Sequence, residues 1–117
     1  MRAEAMHELS ITQNIVDIAC ELAGSRRLRA VRVRIGRLTG IDVRAVRFCY
    51  DLCAQGTVAE GSRLEIDEVP GSGRCSQCQR EIALDLPLAV CPCERAAGIE
   101  RVAGDELLVT ELEVDDP

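Results

Sequence analysis

The chain has 117 residues, with 14 basic side chains against 20 acidic ones and a net charge of −6. That length suffices for one ordinary core, or for a small core with a metal-stapled subdomain, and excludes two full-sized domains. No apolar run approaches the roughly 20 residues of a membrane-spanning helix, and Arg2, Glu4 and Glu8 occupy a start that lacks the apolar centre of a secretory signal, so the sequence predicts a cytoplasmic protein with no membrane contact.

Ile11, Ile15, Ile18 and Leu22 follow a 4-3-4 spacing, with Leu9, Val16, Ala19 and Ala23 widening the stripe. This predicts an amphipathic helix over 8–23, stopped by Gly24. Glu8 falls in or beside its first turn, where a carboxylate suits the positive end of the macrodipole, and Ser10 with Gln13 offers a second cap. His7, the only histidine, stands at the helix start and outside the apolar stripe.

In "AVRVRIGRL", Val31, Val33 and Ile35 alternate with Arg32 and Arg34, the pattern of a half-buried strand with one cationic face. Asp42 is placed to cap a second helix across 43–55, with Val46, Cys49, Tyr50 and Cys53 on one face and Ala45, Phe48 and Leu52 on another. The turn "GTVAEG" follows, and then "RLEIDEV", a second alternating strand with Glu65 and Asp67 on its wet side. If the two strands pair, arginine and acid face each other.

After Pro70 the composition changes. "PGSGRCSQCQR" reads as loop, and regular alternation returns only near Glu106 in "ELLVTELEV". The order is helix, strand, helix, strand, cysteine-rich insert, strand. It predicts an α+β fold: a two-layer sandwich of a three-stranded sheet and two helices, with an inserted zinc-ribbon-like subdomain. The discontinuous outer domain is residues 6–69 with 105–115, the insert is 70–104, and Pro70 with Gly71 and Gly73 reads as a hinge between them.

Seven cysteines in a chain with no secretory signal favour metal ligands and buried thiols over disulfides. Cys75-x-x-Cys78 and Cys91-Pro-Cys93 lie twelve residues apart, and two close pairs converging across a loop supply the four thiolates of a structural Zn(II) site. The second pair is one residue short of the ideal knuckle. Three thiolates completed by water or a carboxylate, or a redox dithiol, are the other readings of the same spacing. Cys49 and Cys53 are four apart on a helical face that a metal can bridge, but free cysteine is so often buried that a core role is the plainer reading for these two and for Cys20.

No catalytic constellation is present: one histidine has no paired nucleophile, and no phosphate-binding loop with its lysine occurs. The sequence describes a non-enzyme. Residues 1–69 and 70–104 are each balanced in charge, and the six excess acids fall in 105–117. A zinc-ribbon nucleic-acid module is therefore a poor second reading, because phosphate binding needs a basic surface. A thiol-based redox protein is a third.

"MHELSITQNIVDIA" resembles the opening of the nickel metallochaperones of NiFe-hydrogenase maturation, the HypA/HybF family. "RVRIGRLTGID", "RFCYDLCAQGTVAEGSRLEIDEVPG", the cysteine pairs and "GDELLVTELEV" continue the likeness in order from Met6 to the end. The resemblance implies a carrier that takes up Ni(II) at its Met-His-Glu end and passes it on to the hydrogenase large subunit, working with a maturation GTPase. It implies that His7 is the essential nickel ligand, with backbone nitrogens around His7 and Glu8, and in one form of the site the terminal amine, completing the shell, and that Cys75, Cys78, Cys91 and Cys93 hold zinc. Two features depart from the family pattern. The second cysteine pair is Cys-Pro-Cys where the family has Cys-Pro-x-Cys, and "MRAEA" precedes Met6: with that extension in place this methionine has no free amine, whereas translation from Met6 gives it one.

Overall fold

The structure, a computed structural model, describes residues 3–84 and 99–115, with side chains from residue 7 onward. Its elements are helix α1 (Ala3–Ala23), strand β1 (Leu28–Gly36), a 3-10 turn (Arg37–Thr39), helix α2 (Val43–Ala54), and strands β2 (Arg63–Val69), β3 (Gly71–Cys75), β4 (Glu81–Leu84), β5 (Ile99–Ala103) and β6 (Leu107–Val114). The result is an α+β fold with two helices and two three-stranded sheets, ordered β2-β1-β6 and β4-β3-β5. The chain divides into two compact units, one of Met1–Arg34, Ile41–Asp67 and Leu108–Pro117, the other of Ile35–Gly40 and Glu68–Leu107. Among the described residues, no helix is long and apolar enough to cross a membrane.

In the first unit the apolar spacing works in part. Ile11, Ile15, Val16, Ala19 and Ala23 of α1 are buried, as are Val31 and Val33 of β1 and Val46, Tyr50 and Ala54 of α2, whereas Leu9, Ile18 and Leu22, expected on the same stripe, are exposed, because the buried face of α1 centres on the line of Ile15, Val16 and Ala19. The two helices pack against each other. Asp42 caps α2 through its side chain, accepting from the backbone N–H groups of Arg44 at 3.0 Å and Ala45 at 3.4 Å. Gly24 ends α1 at φ +64°, a left-handed position open to glycine at no steric cost.

The expected pairing of the two alternating strands is present. With β1 central, Arg32 reaches acids on both neighbours: its Nη2 donates to Glu65 of β2 at 3.1 Å, and its Nη1 lies 3.9 Å from Glu111 of β6. Arg63 of β2 reaches Glu113 at 3.2 Å in the same way. The acids of residues 105–117 that sit on β6 are thus partly spent on the chain's own arginines.

The turn "GTVAEG" is a hydrogen-bonded module. Thr57 donates from its hydroxyl to the Ala54 carbonyl at 2.7 Å and accepts from the Ala59 N–H at 3.0 Å. Ser62 donates to the Ala59 carbonyl at 2.5 Å and meets the buried Tyr50 hydroxyl at 2.6 Å. The backbone carbonyls of Val58 and Glu60 receive the Leu28 N–H and the Arg27 guanidinium. The hydroxyls of Thr57 and Ser62 and the backbone carbonyls of Val58 and Glu60 thus tie the end of α2 to the start of β1.

Two expectations are corrected here. Helix α1 begins at Ala3, five residues before the expected start, because Ala3, Glu4, Ala5 and Met6 are good helix formers that carry no apolar periodicity to announce them. Ser10 is therefore inside the helix rather than at a cap, and Gln13 donates to Asp17 at 2.9 Å one turn on. The second correction is the insert. The stretch expected as loop and hinge forms β3, the central strand of an antiparallel sheet, with Gly71 opposite Leu84 and Arg74 opposite both Glu81 and Glu100. Its glycines serve close approach rather than freedom: a Cβ on Gly71 would lie 2.5 Å from the Leu84 carbonyl oxygen, and one on Gly36 would overlap the Gly104 carbonyl. Gly104 itself stands at φ +107° against the Cα of Gly71.

Candidate metal centres

His7 lies in the second turn of α1, where the helix turns it away from the buried stripe. Its side chain is 64 % exposed, so the imidazole is open to an incoming ion. The helix engages its backbone differently. In a helix that starts at Ala3, the N–H groups of His7 and Glu8 donate to the carbonyls of Ala3 and Glu4.

Glu8 is the opposite case, its side chain only 2 % exposed. One carboxylate oxygen accepts from the backbone N–H of Asp42 in a long bond of 3.4 Å and stands 3.8 Å from His7 Nδ1. The Glu8 carbonyl receives the buried Thr12 hydroxyl at 2.6 Å, a back-bond within the helix. The expected role of Glu8 at the helix dipole gives way to a link between α1 and the start of α2, since the helix begins a turn earlier. Glu8 thus stands between the His7 ring and the cap of α2, and no local signal in the sequence joins residues 34 apart.

The second candidate centre sits at the end of β3. Cys75 is buried, and its Sγ accepts from the N–H groups of Gln77 and Cys78, each at 3.4 Å. The Cys75 N–H bonds the Arg80 carbonyl and the Gln79 N–H bonds the Cys75 carbonyl, both at 3.0 Å. Gln79 closes the turn at φ 62°, the left-handed geometry such a tight reversal requires. Amides aimed at a sulfur stabilise it as thiolate, which is the form a metal takes. The donor set of this turn therefore fits a soft or borderline cation. Cys78 is exposed; Cys91 and Cys93 lie outside the described residues.

Cys20, Cys49 and Cys53 are all free and only half-buried, which departs from the core role expected of them. The cause is their place at the flank of the helix pair: on α2 the buried line is Val46, Tyr50 and Ala54, and the cysteines stand one position off it. Burial pushes the Cys53 thiol up, and nearby Cys49 and Asp17 add to the rise. Among the described residues, no three His, Cys, Asp or Glu side chains are gathered so as to hold a metal ion.

Comparison with known proteins adds a consistent set of likenesses. The family model described as hydrogenase/urease nickel incorporation, metallochaperone, hypA matches residues 6–114. A hydrogenase maturation factor HypA from Nostoc punctiforme is 47 % identical over 111 residues, covering 95 % of this chain and 97 % of that protein. The protein of the same name from Geobacter sulfurreducens is 48 % identical over 110 residues, covering 94 % and 100 %. Among solved structures, the nickel metallochaperone HypA from Helicobacter pylori has this fold with a TM-score of 0.64 at 17 % identity, over 92 % of this chain and 96 % of that one.

Proposed function

We propose a site for the work this chain does as a family member: it belongs to the HypA family of hydrogenase/urease nickel-incorporation metallochaperones, and His7 is the residue on which its nickel is held. As a nickel metallochaperone of hydrogenase maturation, the protein handles Ni(II) as cargo and works alongside other maturation proteins. The observation that carries the site is the exposed His7 imidazole in the Met6-His7-Glu8 stretch, at the point where the family match begins.

Ni(II) favours a square plane of nitrogen donors. The His7 ring supplies one, and the backbone nitrogens of His7 and Glu8 supply others. Those amides are engaged in the first turns of α1, so loading requires the helix to unwind locally up to Glu8. Helix ends fray at little cost, which suits a site that must also release its metal. Glu8 does not donate its carboxylate to the ion in this reading. It fixes where the unwinding stops, because its buried side chain is tied to the amide of Asp42.

The second part of the proposal is a structural zinc site of Cys75, Cys78, Cys91 and Cys93. The amide-lined sulfur of Cys75 supports it, and zinc would supply stability to a small unit with few large apolar side chains. The nickel role falls to residues 6–69 with 105–115 and the zinc role to 70–104; the two compact units divide the chain near those bounds, except that Ile35–Gly40 groups with the second. The partners are a maturation GTPase and the hydrogenase large subunit, and the compartment is the reducing cytoplasm, in which free thiols persist.

Complementation tests the assignment. In cells deprived of their own carrier, the wild-type chain restores hydrogenase activity and His7→Ala does not, while metal analysis of both purified proteins returns one zinc per chain. Restoration by His7→Ala overturns the nickel site, and absence of zinc in the wild-type protein overturns the second.

A further inference from the structure

Two thiols outside both proposed centres share a geometry that neither uses. Cys49 and Cys53 stand one turn apart on the same face of α2, a spacing that brings Cβ atoms to about 6 Å of each other. Both thiols are free and half-buried rather than sealed in the core. By helical spacing the two positions fall between the buried line of Val46, Tyr50 and Ala54 and the exposed Phe48 and Leu52. The thiols sense each other, since Cys49 helps to raise Cys53 after the larger effect of burial.

The coordination number follows from what surrounds them. Among the described residues, no group of three metal-binding side chains is assembled, so the pair offers two sulfurs and no third protein donor in place. Zinc wants four donors in a tetrahedron and Ni(II) a square plane. A two-sulfur site suits instead a soft, monovalent cation, for which thiolate is the preferred ligand. Two metal–sulfur bonds of about 2.3 Å each span a distance that rotation about the two Cα–Cβ bonds can match.

We propose that Cys49 and Cys53 form a two-thiolate binding site for a soft monovalent cation of the Cu(I) class. Binding forms two copper–sulfur bonds and breaks two S–H bonds; the two protons pass to solvent and the metal keeps its oxidation state. The site is independent of the nickel reading, since it uses no residue of the Met6-His7-Glu8 stretch and none of the cysteines at 75–93.

The test uses the full chain, loaded with zinc, free of nickel and kept anaerobic. Cu(I) is supplied at one equivalent from a chromophoric chelator, and the cysteines are then alkylated and mapped after trypsin digestion. Cleavage after Arg47 and Arg63 yields one peptide, 48–63, holding Cys49 and Cys53 and no other cysteine. Joint protection of both is expected at one copper per chain. Cys49→Ser and Cys53→Ser should each weaken binding about a hundredfold or more, as loss of one arm of a chelate does, and Cys20→Ser should leave it unchanged. Protection confined to Cys75 and Cys78, no protection at all, or equal affinity after loss of either thiol overturns the proposal. The wild-type protection map decides the matter even if one serine variant fails to fold.

Discussion

The hydrogen bonds that close the "GTVAEG" turn predict an ordering of mutational costs. The Ser62 hydroxyl has one proton, and it is committed to the Ala59 carbonyl at 2.5 Å, an acceptor that cannot donate. The 2.6 Å contact between Tyr50 and Ser62 must therefore have tyrosine as the donor. Removing the donor is the milder change: in Tyr50→Phe, Ser62 keeps its own bond and loses only an incoming one, worth about 0.5–1.5 kcal/mol. Ser62→Ala strands the Tyr50 hydroxyl at a residue only 2 % exposed, at about 1–3 kcal/mol. The double variant leaves nothing stranded, so its cost falls short of the sum of the two. Urea unfolding of the four proteins at matched metal content measures the cycle. Equal costs, a larger cost for Tyr50→Phe, or strict additivity would refute the proton assignment and with it the account of the turn.

Tyr50 is the only tyrosine, so an alkaline absorbance titration reports it alone; burial raises it in the native protein, and unfolding in urea should return it to about 10. Because the native state then holds that proton more tightly than the unfolded one, stability should fall as pH rises through this range. Asp42→Ala removes the cap of α2 and should cost about 1 kcal/mol, seen as a lower urea midpoint with the slope unchanged. Gly36→Ala drives a Cβ into the Gly104 carbonyl and should destabilise by more than about 3 kcal/mol; hydrogen exchange should show the loss in β3 and β5, and unchanged protection there would contradict the close approach.

What the sequence discloses depends on whether side chains carry the pattern. The pairing of β1 with β2 is legible because Arg32 and Glu65 both alternate with apolar neighbours, so that joining the apolar faces sets opposite charges together on the other face. The cap at Asp42 is legible because it precedes a periodic run. Strand β3 is hidden for the converse reason: Gly71 and Gly73 have no side chains to alternate, and their need is set by Leu38, Leu84 and Gly104, far along the chain. The early start of α1 rests on propensity alone, without periodicity. Half-burial of Cys49 and Cys53 is a matter of a few tens of degrees around α2, which composition cannot resolve. His7 was conspicuous as the only imidazole, yet the buried link from Glu8 to Asp42 beside it is a long-range contact with no local signature.

The most direct test of the central claim is nickel titration by isothermal calorimetry on two chains, one beginning at Met1 and one at Met6, each with a His7→Ala control. The account predicts that both controls lose binding and that the Met6 chain binds more tightly, because it has no preceding helical turn to unwind and gains a free amine at the site. Nickel binding that survives His7→Ala in either chain would contradict it.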